Sequence, residues 1–108
     1  MNYFDYRQLN APDVHTHEFL GSTFISEREK DAHNHRFSGI SSKAIPVQNG
    51  HIHEIVGNTS FDDMHIHQIR LQTGIQIPVG NNKHVHFANG ITTTDDGHTH
   101  NLQFTTLI

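Results

Sequence analysis

Hydrophobic and polar residues alternate with a period of two over several short runs of this chain. Nowhere do apolar positions recur at the spacing of an amphipathic helix. The runs are bounded by Gly, Asn, Asp or Pro, which predicts β-strands. One side of the alternation carries Phe19, Phe37, Ile55, Ile69, Ala88 and Leu102, with Leu71 and Phe104 extending two of the runs. The other side carries Thr16, Glu18, Asn34, Arg36, Glu54, Gln68, Arg70, Thr99, Asn101 and Gln103, with Ile52, Ile66, Val85 and Phe87 as exceptions. The first set should line a core and the second should face water.

The apolar side has a second occupant. Two residues before each of its six leading positions stands the end of a His-x-His pair, and the 12 histidines of the chain are all used in this way. The pairs are His15/His17, His33/His35, His51/His53, His65/His67, His84/His86 and His98/His100. Random placement would give about one such pair. In a strand, residues i and i+2 project from one face, so each pair presents two imidazoles inward; a helix would splay them apart.

The pairs alternate between two types. The first, third and fifth are followed by Gly-x-Thr (HTHEFLGST, HIHEIVGNT, HVHFANGIT), and the others are preceded by Asp (DAHNH, DMHIH, DGHTH). The segments AIPV and QIPV follow the second and fourth pairs, placing Pro46 and Pro78 at matching offsets. One supersecondary unit is thus repeated in tandem, over approximately 15–50, 51–83 and 84–108. The third copy ends before an Ile-Pro-Val segment, and residues 1–14, with Pro12, are expected to complete it. The expected architecture is a single all-β domain spanning 1–108. Its three hairpin-like units should close into a small barrel or prism-like ring with a histidine-lined interior, which removes exposed edges.

Composition sharpens the problem. Hydrophobic residues make up 33% of the 108, a small share for a globular domain. Cysteine is absent, which excludes disulfides, thiolate metal sites and cysteine nucleophiles. The formal charge is −4 with scattered basic residues, unlike a nucleic-acid surface. No apolar run approaches membrane-spanning length, and MNYFDYRQLNAPDV lacks the charged and apolar regions of a secretory leader. The expectation is a cytoplasmic protein, either a monomer or a homo-oligomer such as a trimer.

Twelve inward imidazoles need partners. Each buried unsatisfied group costs roughly 1–3 kcal/mol, and a domain is stable by only about 5–15 kcal/mol. Metal ions answer the need, with all 12 histidines as candidate ligands. Neutral imidazole suits iron, zinc, copper, nickel and cobalt. Three His-x-His pairs on a threefold axis would offer six nitrogens; zinc prefers four ligands. Iron is therefore the first expectation and zinc the second.

Two arrangements fit. Each pair type could build its own six-histidine site, or all 12 histidines could line one cavity holding several ions bridged by oxide, hydroxide or sulfide. The second is preferred, because it explains why both halves of each unit carry pairs. Asp31, Asp63 and Asp96 share the histidine face and are expected to ligate directly or to orient an imidazole through its other N–H. As turn residues at strand starts they would do neither. Gly21, Gly57 and Gly90 are expected to end the first strand of each unit at positive φ, and Thr23, Thr59 and Thr92 to start the connection.

Taken together, HTHEFLGST, DAHNHRFSGIS, IPVQNGHIHEI, DMHIHQI, GNNKHVHF and DGHTH resemble the YmaF family over approximately residues 13–104. These are small His-x-His-rich proteins of Bacillus, Clostridium and relatives, named for a gene and not for a reaction. A local resemblance links the pairs to trimeric phage tail-fibre and spike tips, where His-x-His from three chains coordinates iron octahedrally. The present chain departs from those by carrying three matched units within itself.

The leading expectation is an iron-binding protein with a multinuclear centre for redox, storage or sensing. The alternative is a structural protein, such as a fibre tip or a spore or coat component, stabilised by one or two octahedral six-histidine sites. A non-haem iron enzyme ranks third, since catalysis requires an open coordination position.

Overall fold

A computed structural model describes residues 15–27 and 31–108. Its strands are β1 (Glu18–Ser22), β2 (Arg36–Ile40), β3 (Ile45–Val47), β4 (Gly50–Ile52), β5 (Glu54–Asn58), β6 (Gln68–Gln72), β7 (Ile77–Gly80), β8 (Lys83–Val85), β9 (Phe87–Ile91) and β10 (Asn101–Thr105). The protein is all-β, with no helix among the described residues. The strands pair as five antiparallel hairpins, each a separate two-stranded sheet.

Three hairpins are long and equivalent: β1–β2, β5–β6 and β9–β10. The two short ones, β3–β4 and β7–β8, hold the Ile-Pro-Val segments, with Pro46 opposite His51 and Pro78 opposite His84. A two-stranded hairpin has two free edges, and proline is tolerated where its missing N–H faces outward. Tight turns sit where the sequence is acidic. Asp63 and Met64 have φ of 55° and 68°, and Asp96 and Gly97 have 55° and 79°. Two consecutive positive φ values are what a two-residue hairpin turn requires.

The long hairpins lie side by side, β2 against β5, β6 against β9 and β10 against β1. Single backbone bonds join them at both ends. Ser60 N–H donates to Arg36 O, Thr93 N–H to Gln68 O and Phe24 N–H to Asn101 O. At the other end Ser42 donates to Glu54, Gly74 to Phe87 and Leu107 to Glu18. No ladder continues across these joints, so no sheet closes into the expected barrel. The completion of the third unit by residues 1–14 lies outside the described residues.

The inward face behaves as the alternation predicts. Phe19, Phe37, Ile55, Ile69, Ala88, Leu102 and Phe104 are buried and form one cluster, with Leu71 partly buried against it. Large residues face small ones across each long hairpin: Phe19 opposes Gly39, Phe37 opposes Gly21 and Phe104 opposes Ala88.

The expectation for the three repeated glycines needs correction. Gly21, Gly57 and Gly90 lie inside β1, β5 and β9, and none has a positive φ. At Gly21 the reason for glycine is space, since a Cβ there would lie 2.8 Å from Cζ of Phe37. At Gly90 it would lie 3.1 Å from Cδ2 of Leu71. Gly57 has open space around it.

Candidate metal centres

In each long hairpin one pair precedes the first strand and the other precedes the second. Because the strands are antiparallel, the pairs emerge at opposite ends. The 12 imidazoles accordingly divide into two groups and do not share one cavity. The upper group is His15, His17, His51, His53, His84 and His86, whose ligand nitrogens all lie within 4.8 Å of one another. The lower group is His33, His35, His65, His98 and His100 at the same limit, with His67 Nε2 3.0 Å from His65 Nε2. The apolar cluster fills the hairpins between them. The first of the two expected arrangements is the one observed.

The second histidine of every pair is held at two points. Its backbone N–H donates to a hydroxyl: His35 to Thr23, His67 to Thr59, His100 to Thr92, His17 to Ser41, His53 to Thr73 and His86 to Thr106. Its Nδ1 meets a carbonyl of another segment: Leu107, Ser60, Ser42, Thr93, Gly74 or Phe24 for His17, His35, His53, His67, His86 and His100. The first histidine of each lower pair does the same locally, His33, His65 and His98 reaching the carbonyls of Asp31, Asp63 and Asp96. A carbonyl only accepts, so these nine rings carry their proton on Nδ1. Their Nε2 lone pairs are left facing the centre.

Those inner nitrogens are crowded. Nε2–Nε2 separations are 3.1 Å for His17–His84, 3.2 Å for His51–His84 and His15–His84, 3.0 Å for His33–His98 and 3.2 Å for His35–His65 and His33–His100. His53 Nε2 and His86 Nε2 are buried with no hydrogen-bond partner among the described residues. Burial is also the main reason that the pKa values of His35, His53, His67 and His84 are lowered and those of His51, His86 and His100 fall to about 4. Neutral rings with converging lone pairs are the state a metal ion requires. The donor set is one that could hold a metal ion.

The acids sit behind the rings. Asp63 Oδ2 is 3.5 Å from Nδ1 of His33, and Asp96 Oδ2 is 3.5 Å from Nδ1 of His65. In the first unit the equivalent acid is Glu27, 3.5 Å from Nδ1 of His98 and at φ 56°, matching Asp63 and Asp96. The carboxyl of Asp31 is instead hydrogen-bonded to Asp63, which raises its pKa. Sequence reasoning missed Glu27, and it missed Asp62 and Asp95, whose Oδ2 atoms lie 3.6 and 3.4 Å from Nδ1 of His35 and His67. Ser60 donates to Asp62 and lowers its pKa. The hydroxyl residues had a readable signal: Thr or Ser stands six positions after the second histidine of all six pairs.

Neither the curated proteins nor the solved structures yield a match, so the likeness to fibre tips rests on the pairs alone. A family model described as spore germination protein GerY/YamF matches residues 12–108, which takes in all six His-x-His pairs. The chain belongs to the YmaF family.

Proposed function

We propose that this chain binds two iron ions, one in each six-histidine group, and that the ions fasten three hairpins together as the faces of a prism. The orientation of the imidazoles carries this reading: nine rings commit Nδ1 to carbonyls, and Nε2 atoms stand 3.0–3.2 Å apart around each centre, in the lower group between rings that both point a lone pair inward. Lone pairs so placed repel unless a cation lies between them. An octahedron with such edges has its centre about 2.2 Å from every vertex. Tetrahedral zinc with imidazole sits closer, at about 2.0–2.1 Å, and takes fewer ligands.

This favours the structural alternative over a multinuclear cluster, since each centre has room for one ion. Six imidazoles leave no coordination position for substrate, which speaks against a metal-dependent enzyme. An ion so enclosed supplies cross-linking and outer-sphere electron exchange. Because each group draws histidines from all three hairpins, its binding energy is folding energy. The family description connects relatives with spore germination, and a metal-fastened structural component is the role we assign to this chain there.

Elemental analysis of protein purified without an affinity tag, referenced to chain concentration, tests the proposal. Two irons per chain are expected, with X-ray absorption showing six nitrogen neighbours at about 2.2 Å. Four-coordinate zinc, a single ion, or a short metal–metal distance would overturn it.

A further inference from the structure

The two histidine groups match in shape but differ in what stands behind the rings. In the lower group five of the six imidazoles have a carboxylate oxygen 3.4–3.6 Å from Nδ1, supplied by Asp62, Asp63, Asp95, Asp96 and Glu27. In the upper group, none of His17, His51, His53, His84 and His86 has an acid paired with it among the described residues. Glu54, next to His53, is turned to Arg70 at 3.0 Å. A cation is near instead, because Lys83 lines the cavity beside His15, His17 and His84.

The difference follows a positional rule. Two residues after the carbonyls that hold His35 and His67 come Asp62 and Asp95, and Ser26 takes that place for His100; in the upper group Ala44 and Gln76 follow the carbonyls that hold His53 and His86.

The Nδ1–H of each of these five lower rings goes to a backbone carbonyl, so the carboxylate beside it acts through its charge, which polarises the ring and makes Nε2 a stronger donor. That negative charge also favours the more positive ion in front of the ring. We propose that the acids tune the lower centre to a lower reduction potential than the upper, so that a singly oxidised chain carries its ferric ion between His33, His35, His65, His67, His98 and His100. This inference rests on the proposal that both groups hold iron. The step is a single electron passed between the ion and a soluble inorganic reductant such as dithionite. No bond is made or broken, and no proton moves. Asp62 and Asp95 are positioning residues, acting through His35 and His67.

A potentiometric titration of the iron-loaded chain, followed by Mössbauer spectroscopy, tests this. Two one-electron transitions are expected, with oxidised-to-reduced ratios at least tenfold apart at a common potential, a separation of about 59 mV or more. The Asp62→Asn/Asp95→Asn variant should raise the lower transition and leave the upper in place. Gln76→Glu, nearly isosteric, should lower the upper transition alone. Iron content is measured first: fewer than two irons per chain refutes the metal reading, and this inference with it. With two irons bound, one coincident transition in the unmodified protein, or a shift of the wrong transition in either variant, overturns the tuning alone.

Discussion

His53 and His86 meet edge to face with ring centroids 4.4 Å apart, and the Nε2 atom of each is buried without a hydrogen-bond partner among the described residues. Two buried acceptors left bare would each cost about 1–3 kcal/mol. With an ion between them the cost becomes a gain, because anything that binds only the folded state stabilises it. An ion present at 1,000 times its dissociation constant contributes about 4 kcal/mol. Stripping the metal with a chelator should therefore lower the melting temperature by more than ~10 °C, and adding iron back should restore it. Calorimetry that shows an unchanged transition after proven metal loss would contradict this.

The upper and lower groups should empty independently. Apolar side chains such as Phe19, Phe37 and Phe104 lie between them, so damage at one end is not passed directly to the other. His53→Ala/His86→Ala and His35→Ala/His67→Ala should each reduce the metal content from two ions per chain to one. Loss of both ions from either variant, in protein that remains folded by circular dichroism, would show a shared centre.

Thr59 provides a cleaner test of how the rings are aimed, since it touches no lone pair at the centre. Its hydroxyl accepts the N–H of His67 and donates to the carbonyl of Ser60. Valine has nearly the same shape but cannot accept, leaving a buried N–H unpaired. Thr59→Val should cost about 1–3 kcal/mol in denaturant unfolding, and Thr59→Ser much less. A loss for Thr59→Val no larger than that for Thr59→Ser would show that the hydroxyl contributes no more than the methyl group, and would overturn its role in holding His67.

Two glycines at equivalent positions should respond in opposite ways. Gly21→Ala would force a Cβ to within 2.8 Å of the Phe37 ring, and overpacking of this kind costs about 1–3 kcal/mol. Gly57→Ala meets nothing within 4 Å, and alanine loses less backbone freedom on folding. It should be neutral or stabilising by up to about 1 kcal/mol. Urea midpoints for the two variants decide the matter.

The sequence was informative wherever a period of two settles direction. It placed Phe19, Phe37, Ile55, Ile69, Ala88 and Leu102 inside, with every histidine beside them, because alternation alone decides the face. It was less informative about ends. That a pair before β1 and a pair before β2 must lie at opposite ends of one hairpin follows from antiparallel pairing, yet it requires knowing that those two strands pair with each other. Glu27 was hidden by four extra residues between it and His33, relative to the spacing of Asp63 and His65. The roles of Asp62 and Asp95 depend on the neighbouring hairpin, and no local pattern reveals that.

Acid should undo the molecule through the same rings. Burial, the largest influence, holds His51, His86 and His100 at pKa values of about 4, below the ordinary 6.5; for His86 the bond to the Gly74 carbonyl works in the opposite direction but is outweighed. A depressed histidine stays neutral in the folded chain while its unfolded counterpart takes up protons. Its contribution is therefore complete above pH 6.5 and is lost progressively as the pH falls toward 4. Metal binding follows the same direction, because a proton on Nε2 displaces the ion. Melting temperature and metal content should fall together between pH 6.5 and 4, with more than one proton taken up per molecule unfolded. Retention of both at pH 4 would show that the inner nitrogens do not hold the fold together.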